Sequence, residues 1–284
     1  MLSLLTFNTA LQNVRILNHS AYCPIKYVNE RLFALTTALL ELNADIIVLQ
    51  ELFHRDLQGI FYKMLKRRYP YVSGFAGTGL KFRVDNELLT LSRYPLGRGR
   101  LVRFRSAVLE EKIFTNKGFF HTPVSLPGMG NIDLINFHTT AGGLIAHPES
   151  ARVNTIRAQQ IDQILDYVNM SRPVILAGDL NAGPQTSTIN YRQVISAGFI
   201  DTFSVSAKPA ISWDPGNPLV AAGKERHLPA QRIDHIFVNG PLTRLLSPVE
   251  ARIVLNKTRL TTASGAIPLS DHYGVLAVMQ PVAE

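Results

Sequence analysis

The sequence predicts a mixed α/β protein with two packed sheets flanked by helices. Strand-like apolar runs outnumber amphipathic helical stretches, and the helical stretches fall between some of the strands instead of clustering at one end. A third observation bears on function. Several strands deliver polar or charged residues at their outgoing ends, where α/β proteins place chemistry.

Residues 2–7 read as a buried strand with Asn8 at its end. Over residues 29–42, Leu32, Leu35, Leu39 and Leu42 recur at helical spacing, and Asn43 is a stop signal. The run ADIIVLQEL follows as a second buried strand whose outgoing end carries Gln50 and Glu51. This order predicts a right-handed crossover that puts both strands in one sheet, so that Asn8 and Glu51 converge at the same edge. Residues 54–68 read as a basic amphipathic helix ended by Tyr69, Pro70 and Tyr71. The glycines of residues 72–82 do not fit a phosphate-loop pattern, and this stretch is read as a flexible rim bearing Phe75 and Phe82.

Residues 87–91 read as a strand, and 101–104, 118–124 and 132–137 are close enough in sequence to form antiparallel neighbours. The last of these ends in His138. The longest helix is expected over residues 148–168, with Val153, Ile156, Ile161, Ile164, Leu165 and Val168 on its apolar side. The stretch VILAGDLNAGP, residues 174–184, organises the rest of the chain. Four apolar residues run into Gly178 and then deliver Asp179 and Asn181, two apart and hence on one face of a continuing strand. Its ordinary reading is a buried strand closed by an Asx-type turn. A short helix over 187–197, a turn-rich loop over 212–218 with the single Trp, and a strand over 232–238 follow. In that strand Asp234 interrupts apolar neighbours, and a buried carboxylate requires a partner. A strand over 251–255 and the segment PLSDHYGVLAV, where Asp271 and His272 lead into a strand, close the chain.

At 284 residues and 46% apolar composition the chain is long enough for a substantial core, and nothing in it reads as a linker, so a single domain over 1–284 is expected. The net charge of +8 favours polyanionic partners, nucleic acid and acidic membrane surfaces alike. Cys23 is the only cysteine, which excludes an intrachain disulfide and a cysteine-based zinc site. The apolar start lacks a basic flank and turns polar at Asn8, unlike a signal peptide, and no apolar run approaches the ~20 residues of a membrane helix. A soluble monomer is expected, cytoplasmic or delivered without a cleaved signal.

Singly, His138 or His272 is more often a hydrogen-bonded core or surface histidine, and Glu51 a solvated strand end. Together, Asn8, Glu51, His138, Asp179, Asn181, Asp234, Asp271 and His272 suit hydrolysis of a phosphate ester with a hard divalent cation. Mg²⁺ takes a few oxygen ligands and keeps several waters, and Glu51 with the Asn8 amide oxygen supplies that donor type. A histidine oriented by a buried carboxylate deprotonates water, and Asp234 with His272 is the natural pair. Asp179, Asn181 and His138 remain to position the phosphate and stabilise charge on its oxygens.

The ordered set LLTFNTAL, VLQEL, LINFHT, GDLN, RID and SDH resembles the endonuclease/exonuclease/phosphatase superfamily, the fold of pancreatic deoxyribonuclease, over residues 2–279. The resemblance implies a four-layer α/β sandwich of two mixed, mostly antiparallel sheets flanked by helices, and a Mg²⁺ (or Mn²⁺) dependent phosphodiesterase or phosphatase site. By motif, Asn8 and Glu51 correspond to metal ligands with Asp271 beside them, Asp179 and Asn181 to phosphate positioners, His272 to a base oriented by Asp234, and His138 to the partner near the phosphate oxygens. Between motifs, QELF, LLTLSRYP, Lys117 with Gly118, GDLNAGP, SWDPGNPLV and ASGAIPLSDHYGV are similar to the neutral sphingomyelinase branch. Two departures stand out: Glu87 replaces a Gly of that branch, and HTTAGG replaces Thr-His-Leu. Glu87 instead resembles the acidic partner of the second histidine in deoxyribonucleases, which predicts a Glu87 to His138 hydrogen bond.

The expectation is a phospholipase C-type phosphodiesterase acting on sphingomyelin or a related membrane phospholipid. A nuclease is the alternative that the charge favours. An inositol-phosphate phosphatase is disfavoured because its Trp and Asp-Arg pattern is missing around RIDHIF, and a scaffold with a dead site is disfavoured by the full catalytic set.

Overall fold

The structure, a computed structural model, describes residues 1–12, 14–16, 19–22, 25–53, 55–74, 87–115, 117–142, 147–206, 210–220, 224–257, 259–262 and 265–282. Cys23, Phe75 and Phe82, and with them most of the expected flexible rim, lie outside these residues.

Twelve strands form two six-stranded sheets. In chain order they are β1 (Leu2–Leu11), β2 (Ile46–Leu52), β3 (Tyr71–Ser73), β4 (Leu89–Ser92), β5 (Arg100–Arg103), β6 (Gly118–Leu126), β7 (Gly130–His138), β8 (Val174–Asp179), β9 (Phe199–Asp201), β10 (Asp234–Asn239), β11 (Leu246–Val254) and β12 (Gly274–Pro281). The first sheet runs β11-β12-β1-β2-β4-β3 and the second β9-β10-β8-β7-β6-β5. Each contains one parallel pair, β1 with β2 and β7 with β8, and is otherwise antiparallel. A parallel pair brings two outgoing strand ends to one edge. The expected antiparallel run from residue 101 to 137 is present as β5, β6 and β7.

Alternation along the strands separates three cores. Leu2, Leu4, Ile46 and Val48 of the first sheet meet Leu134, Ile175, Ala177, Ile236 and Val238 of the second in the layer between the sheets. The intervening residues Leu5, Phe7, Ile47 and Leu49 face α1 (Val28–Leu42) and α2 (Arg55–Leu65) through Leu32, Leu35, Leu39, Phe61 and Leu65. On the other outer face, Ile135, Phe137, Leu176 and Phe237 meet Ile161, Ile164 and Val194 of α3 (Ala151–Tyr167) and α4 (Thr188–Ser196). Fully burying each such Leu, Ile or Phe contributes about 1.5–3 kcal/mol. The expected helices therefore form within a few residues of their sequence bounds, α3 being capped by the Ser150 hydroxyl, which accepts from Val153 N.

The period-2 series of the central layer changes character toward one end. Leu2 and Leu4 are followed by Thr6 and Asn8, Ile46 and Val48 by Gln50, Leu134 by Asn136 and His138, and Ile175 and Ala177 by Asp179. Gln50 donates to Asn136 Oδ1 at 2.8 Å, and Asn136 donates to Leu49 O and Leu89 O, so a satisfied polar layer ties the two sheets together beneath this end. Two positions differ from expectation. Asn8 does not end β1, which continues to Leu11. Asp234 does not interrupt its strand but begins it.

Candidate active site

Three site residues are neighbours in the second sheet. His138 pairs with Asp179 across the parallel β7 and β8, and Asp179 pairs with Asp234 across the antiparallel β8 and β10. Local sequence permits this closeness. A Cβ at Gly178 would stand 1.9 Å from Phe137 O, and one at Gly183 would stand 1.9 Å from Arg232 O, so only glycine admits the neighbouring backbones. After Asp179 the chain turns with Asn181 at φ +50°, and Asp179 Oδ1 accepts from Asn181 N at 2.8 Å. The Asx turn that is the ordinary reading of GDLN is present, and it also holds the candidate carboxylate. Asn181 therefore leaves the strand instead of continuing its face, and its amide donates to Thr139 O.

Asp179 Oδ2 is the hub of the site. It accepts from Asn8 Nδ2 at 3.0 Å and lies 3.6 Å from His138 Nε2 and 3.8 Å from His272 Nε2, so both imidazoles face one point between the sheets. Burial raises the Asp179 pKa, but His272, His138 and the donors from Asn8 and Asn181 outweigh it and hold the carboxyl below its ordinary value. His272 donates Nδ1–H to Asp234 Oδ2 at 2.9 Å, the expected base and orienter. Burial pulls the His272 pKa down, while Asp234 and Asp179 hold the ring well above its ordinary value. Burial, reinforced by Asp179, raises that of Asp234 despite its imidazole partner.

His138 Nδ1 lies 2.9 Å from Glu87 Oε1, the pairing expected from sequence, although the contact is too bent for a well-aligned hydrogen bond and is better described as a close ion pair. Burial and Lys117 lower the His138 pKa, and Glu87 together with Asp179 outweighs them to leave the ring above its usual value. For Glu87 burial acts upward, but His138 and Lys117 bring the carboxyl below its usual value.

Glu51 and Asn8 stand at an irregularity in the parallel pair. Two residues of β1, Thr9 and Ala10, oppose the single Glu51, and Ala10 and Glu51 both have positive φ, at 48° and 57°. Left-handed backbone at non-glycine residues costs about 1–3 kcal/mol and persists only where surroundings impose it. Asn8 Oδ1 accepts from Ala10 N, and Gln12 donates to Glu51 Oε2. Burial raises the Glu51 pKa, with His138 opposing and Asp271 and Glu87 adding to it. Oxygen donors carrying surplus negative charge fit a hard divalent cation. Asp179, Asp234 and His272 also place one donor atom each within 4.8 Å of one another, a second arrangement able to hold a cation.

Several contributing residues fall outside the catalytic set expected from sequence. Lys117 Nζ lies 3.2 Å from His138 Nε2 and from Glu111 Oε1, and donates to Thr139 O at 3.1 Å. Its only sequence cue is its place beside Gly118. Buried Arg157 donates to Thr140 O and Pro148 O, and burial brings its pKa down to about 10. The loop over 212–218 braces the segments that carry Asp234 and His272: Ser212 Oγ accepts from Ile233 N and Asp234 N, and Asn217 donates to Ser270 O.

Two mixed sheets with paired imidazoles and carboxylates at one edge define a hydrolase of phosphoric esters that works with a metal ion. The profile of the endonuclease/exonuclease/phosphatase family matches residues 5–272, and the chain belongs to that family. Among solved structures it is similar to sphingomyelinase C from Streptomyces griseocarneus, with TM-score 0.76 and 20% identity over 97% of this chain and 98% of the other. A double mutant of beta toxin from Staphylococcus aureus with bound magnesium ions gives TM-score 0.75 and 19% identity over 97% and 98%. Truncated Caenorhabditis elegans TDP2 gives 0.68 and 18% over 97% and 96%. No curated protein matches the chain by sequence at a significant level.

Proposed function

We propose that this chain is a Mg²⁺-dependent phosphodiesterase of the phospholipase C type, sphingomyelinase-like in its substrate, that hydrolyses a membrane phospholipid with an activated water. The observation that carries this reading is the pair of imidazole Nε2 atoms facing each other across Asp179, one ring oriented by Asp234 and the other paired with Glu87. With Nδ1–H on Asp234, neutral His272 presents its Nε2 lone pair to a water, takes the proton as oxygen attacks phosphorus, and the ester P–O bond to the leaving group breaks. His138, with Glu87 behind it and Lys117 beside it, supplies N–H and positive charge to the phosphate oxygens, and Asp179 and Asn181 set the geometry. Glu51, Asn8 and Asp271 are assigned the cation because all three offer oxygen and Asp271 adds its negative charge to that of Glu51, whereas Asp179 and Asp234 each face an imidazole. When bound, Mg²⁺, or Mn²⁺ in its place, would draw off negative charge developing on the phosphoryl and leaving oxygens.

A second reading, a nuclease, is favoured by the exposed arginines Arg98, Arg100, Arg103 and Arg105 on and beside the edge strand β5, and by the net charge of +8. Among the described residues no helix is long and apolar enough to cross a membrane, so contact with a lipid substrate would be peripheral. The deciding experiment incubates the protein with Mg²⁺ on sphingomyelin vesicles and on plasmid DNA, with His272→Ala as the contamination control. Released phosphocholine with intact plasmid is the expected result. Nicked plasmid with untouched lipid would transfer the assignment to nucleic acid.

A further inference from the structure

Among the described residues Arg31 is one of the two largest fully buried side chains, and it lies on α1 beneath the candidate metal-binding end of β1. Its guanidinium donates to four backbone carbonyls. Nη1 reaches Thr9 O at 3.1 Å and Leu269 O at 3.0 Å, Nη2 reaches Ala10 O at 2.6 Å, and Nε reaches Lys26 O at 3.1 Å. Thr9 and Ala10 are the two residues that bulge opposite Glu51, so their carbonyls leave the regular ladder with Leu52 and require other donors. Leu269 opens the turn that presents Asp271 and His272.

From these contacts we infer that Arg31 is a positioning residue for cation binding, locking the strained Ala10–Glu51 backbone and fastening it to the turn that carries Asp271 and His272. The inference rests on the assignment of the cation to Glu51, Asn8 and Asp271. The same junction is closed on its other side by Ser270, whose hydroxyl donates to Asn8 O at 2.7 Å and accepts from His272 N. A movement of the bulge therefore reaches Glu51 directly, Asn8 through its Oδ1 bond to Ala10 N, and the base through Leu269 and Ser270. Only arginine offers enough N–H groups in a rigid fork to hold three carbonyls on two segments; lysine keeps the charge but not the fork.

The test measures Mn²⁺ binding directly by calorimetry on full-length wild type, Glu51→Gln, Arg31→Lys and Ser270→Ala, with melting temperature recorded for each. Arg31→Lys is expected to weaken Mn²⁺ binding about 10- to 100-fold, the range for residues that orient metal ligands. Its KM at saturating metal should stay within about 2-fold. Ser270→Ala, a milder change at the same junction, should shift Mn²⁺ affinity in the same direction and keeps the inference testable where Arg31→Lys does not fold. A lowered melting temperature with unchanged Mn²⁺ affinity in both variants would overturn the inference and leave Arg31 a purely structural clamp. Wild-type Mn²⁺ affinity in Glu51→Gln would instead overturn the cation assignment itself, which separates the two failures.

Discussion

Asp179 and Asp234 stand directly opposite each other in adjacent antiparallel strands, and the imidazole of His272 lies between them, with Nδ1 on Asp234 and Nε2 facing Asp179. Two carboxylates this close repel unless a cation or a proton intervenes. Their opposite shifts, Asp179 below and Asp234 above the ordinary value, mark one as the ionised hub and the other as the partner of the ring.

Removing either end of this unit is expected to remove turnover. His272→Ala and Asp179→Asn should each lower kcat by at least about 10²- to 10⁴-fold, the range of general acid–base catalysis. Asp234→Asn should cost nearly as much as His272→Ala, and the double variant little more, because residues acting as one unit are not additive. Steady-state kinetics with near-ultraviolet circular dichroism as the fold control is the check. An Asp234→Asn enzyme with near wild-type kcat would remove the orienting role.

The pH–rate profile carries a sign. His272 must be neutral to act as a base, and Asp234 and Asp179 hold its pKa well above the ordinary histidine value. Activity should therefore rise with pH along a limb placed above that ordinary value. Asp234→Asn takes away the strongest stabiliser of the imidazolium, so the limb should move to lower pH while the plateau falls. A limb that stays put would separate His272 from the observed titration.

Metal dependence is predicted to run through Glu51. A chelator should abolish turnover and added Mg²⁺ restore it, and Glu51→Gln should raise the Mg²⁺ concentration for half-maximal rate by about 100-fold, the upper end of the effect of perturbing a metal site. An unchanged Mg²⁺ requirement would redirect the cation to the Asp179, Asp234 and His272 group.

Glu87 is expected to act through His138. Its carboxylate backs His138 at 2.9 Å and is held below its usual pKa by His138 and Lys117 against the effect of burial. Glu87→Gln should lower activity about 10-fold or more, part of the 10²- to 10⁴-fold of a full acid–base group. Undiminished kcat/KM would make the contact structural only.

A separate network should govern stability. Asp201 pairs with Arg232 at 2.7 Å and His235 at 3.2 Å and accepts from Tyr191; burial raises its pKa, but His235, Arg232 and the Phe203 backbone N–H hold it well below the ordinary carboxylate value. Asp201→Asn is expected to cost about 3 kcal/mol at neutral pH, as for breaking one side of a buried pair. A group with a depressed folded pKa contributes stability above its unfolded pKa, about 4, and loses it as pH falls toward the folded value. The gap between wild type and variant in urea midpoints should accordingly narrow below about pH 4, and a gap independent of pH would contradict the ion pair.

Most of the architecture is written locally in the chain. The apolar runs Leu2 to Phe7, Ile46 to Leu49 and Val174 to Ala177, and the helical spacing of Leu32, Leu35 and Leu39, determine strands buried on both faces and helices packed outside them, because a strand sends successive side chains to opposite faces and a helix repeats every 3.6 residues. The motifs at the strand ends name the polar residues that gather at one edge, and the resemblance to deoxyribonucleases names the pairing of Glu87 with His138. Sequence alone also leaves GDLN readable as a turn, and it is one, with Asp179 facing both imidazoles. What tertiary structure decided is how far elements distant in sequence constrain one another: the bulge that turns Glu51, the carbonyls of Thr9, Ala10 and Leu269 meeting on Arg31, Lys117 beside His138, and Ser212 under Asp234. None of these has a periodic signature. Each arises where backbone groups leave a regular ladder and, once buried, must find a donor or acceptor from whichever segment the fold brings near.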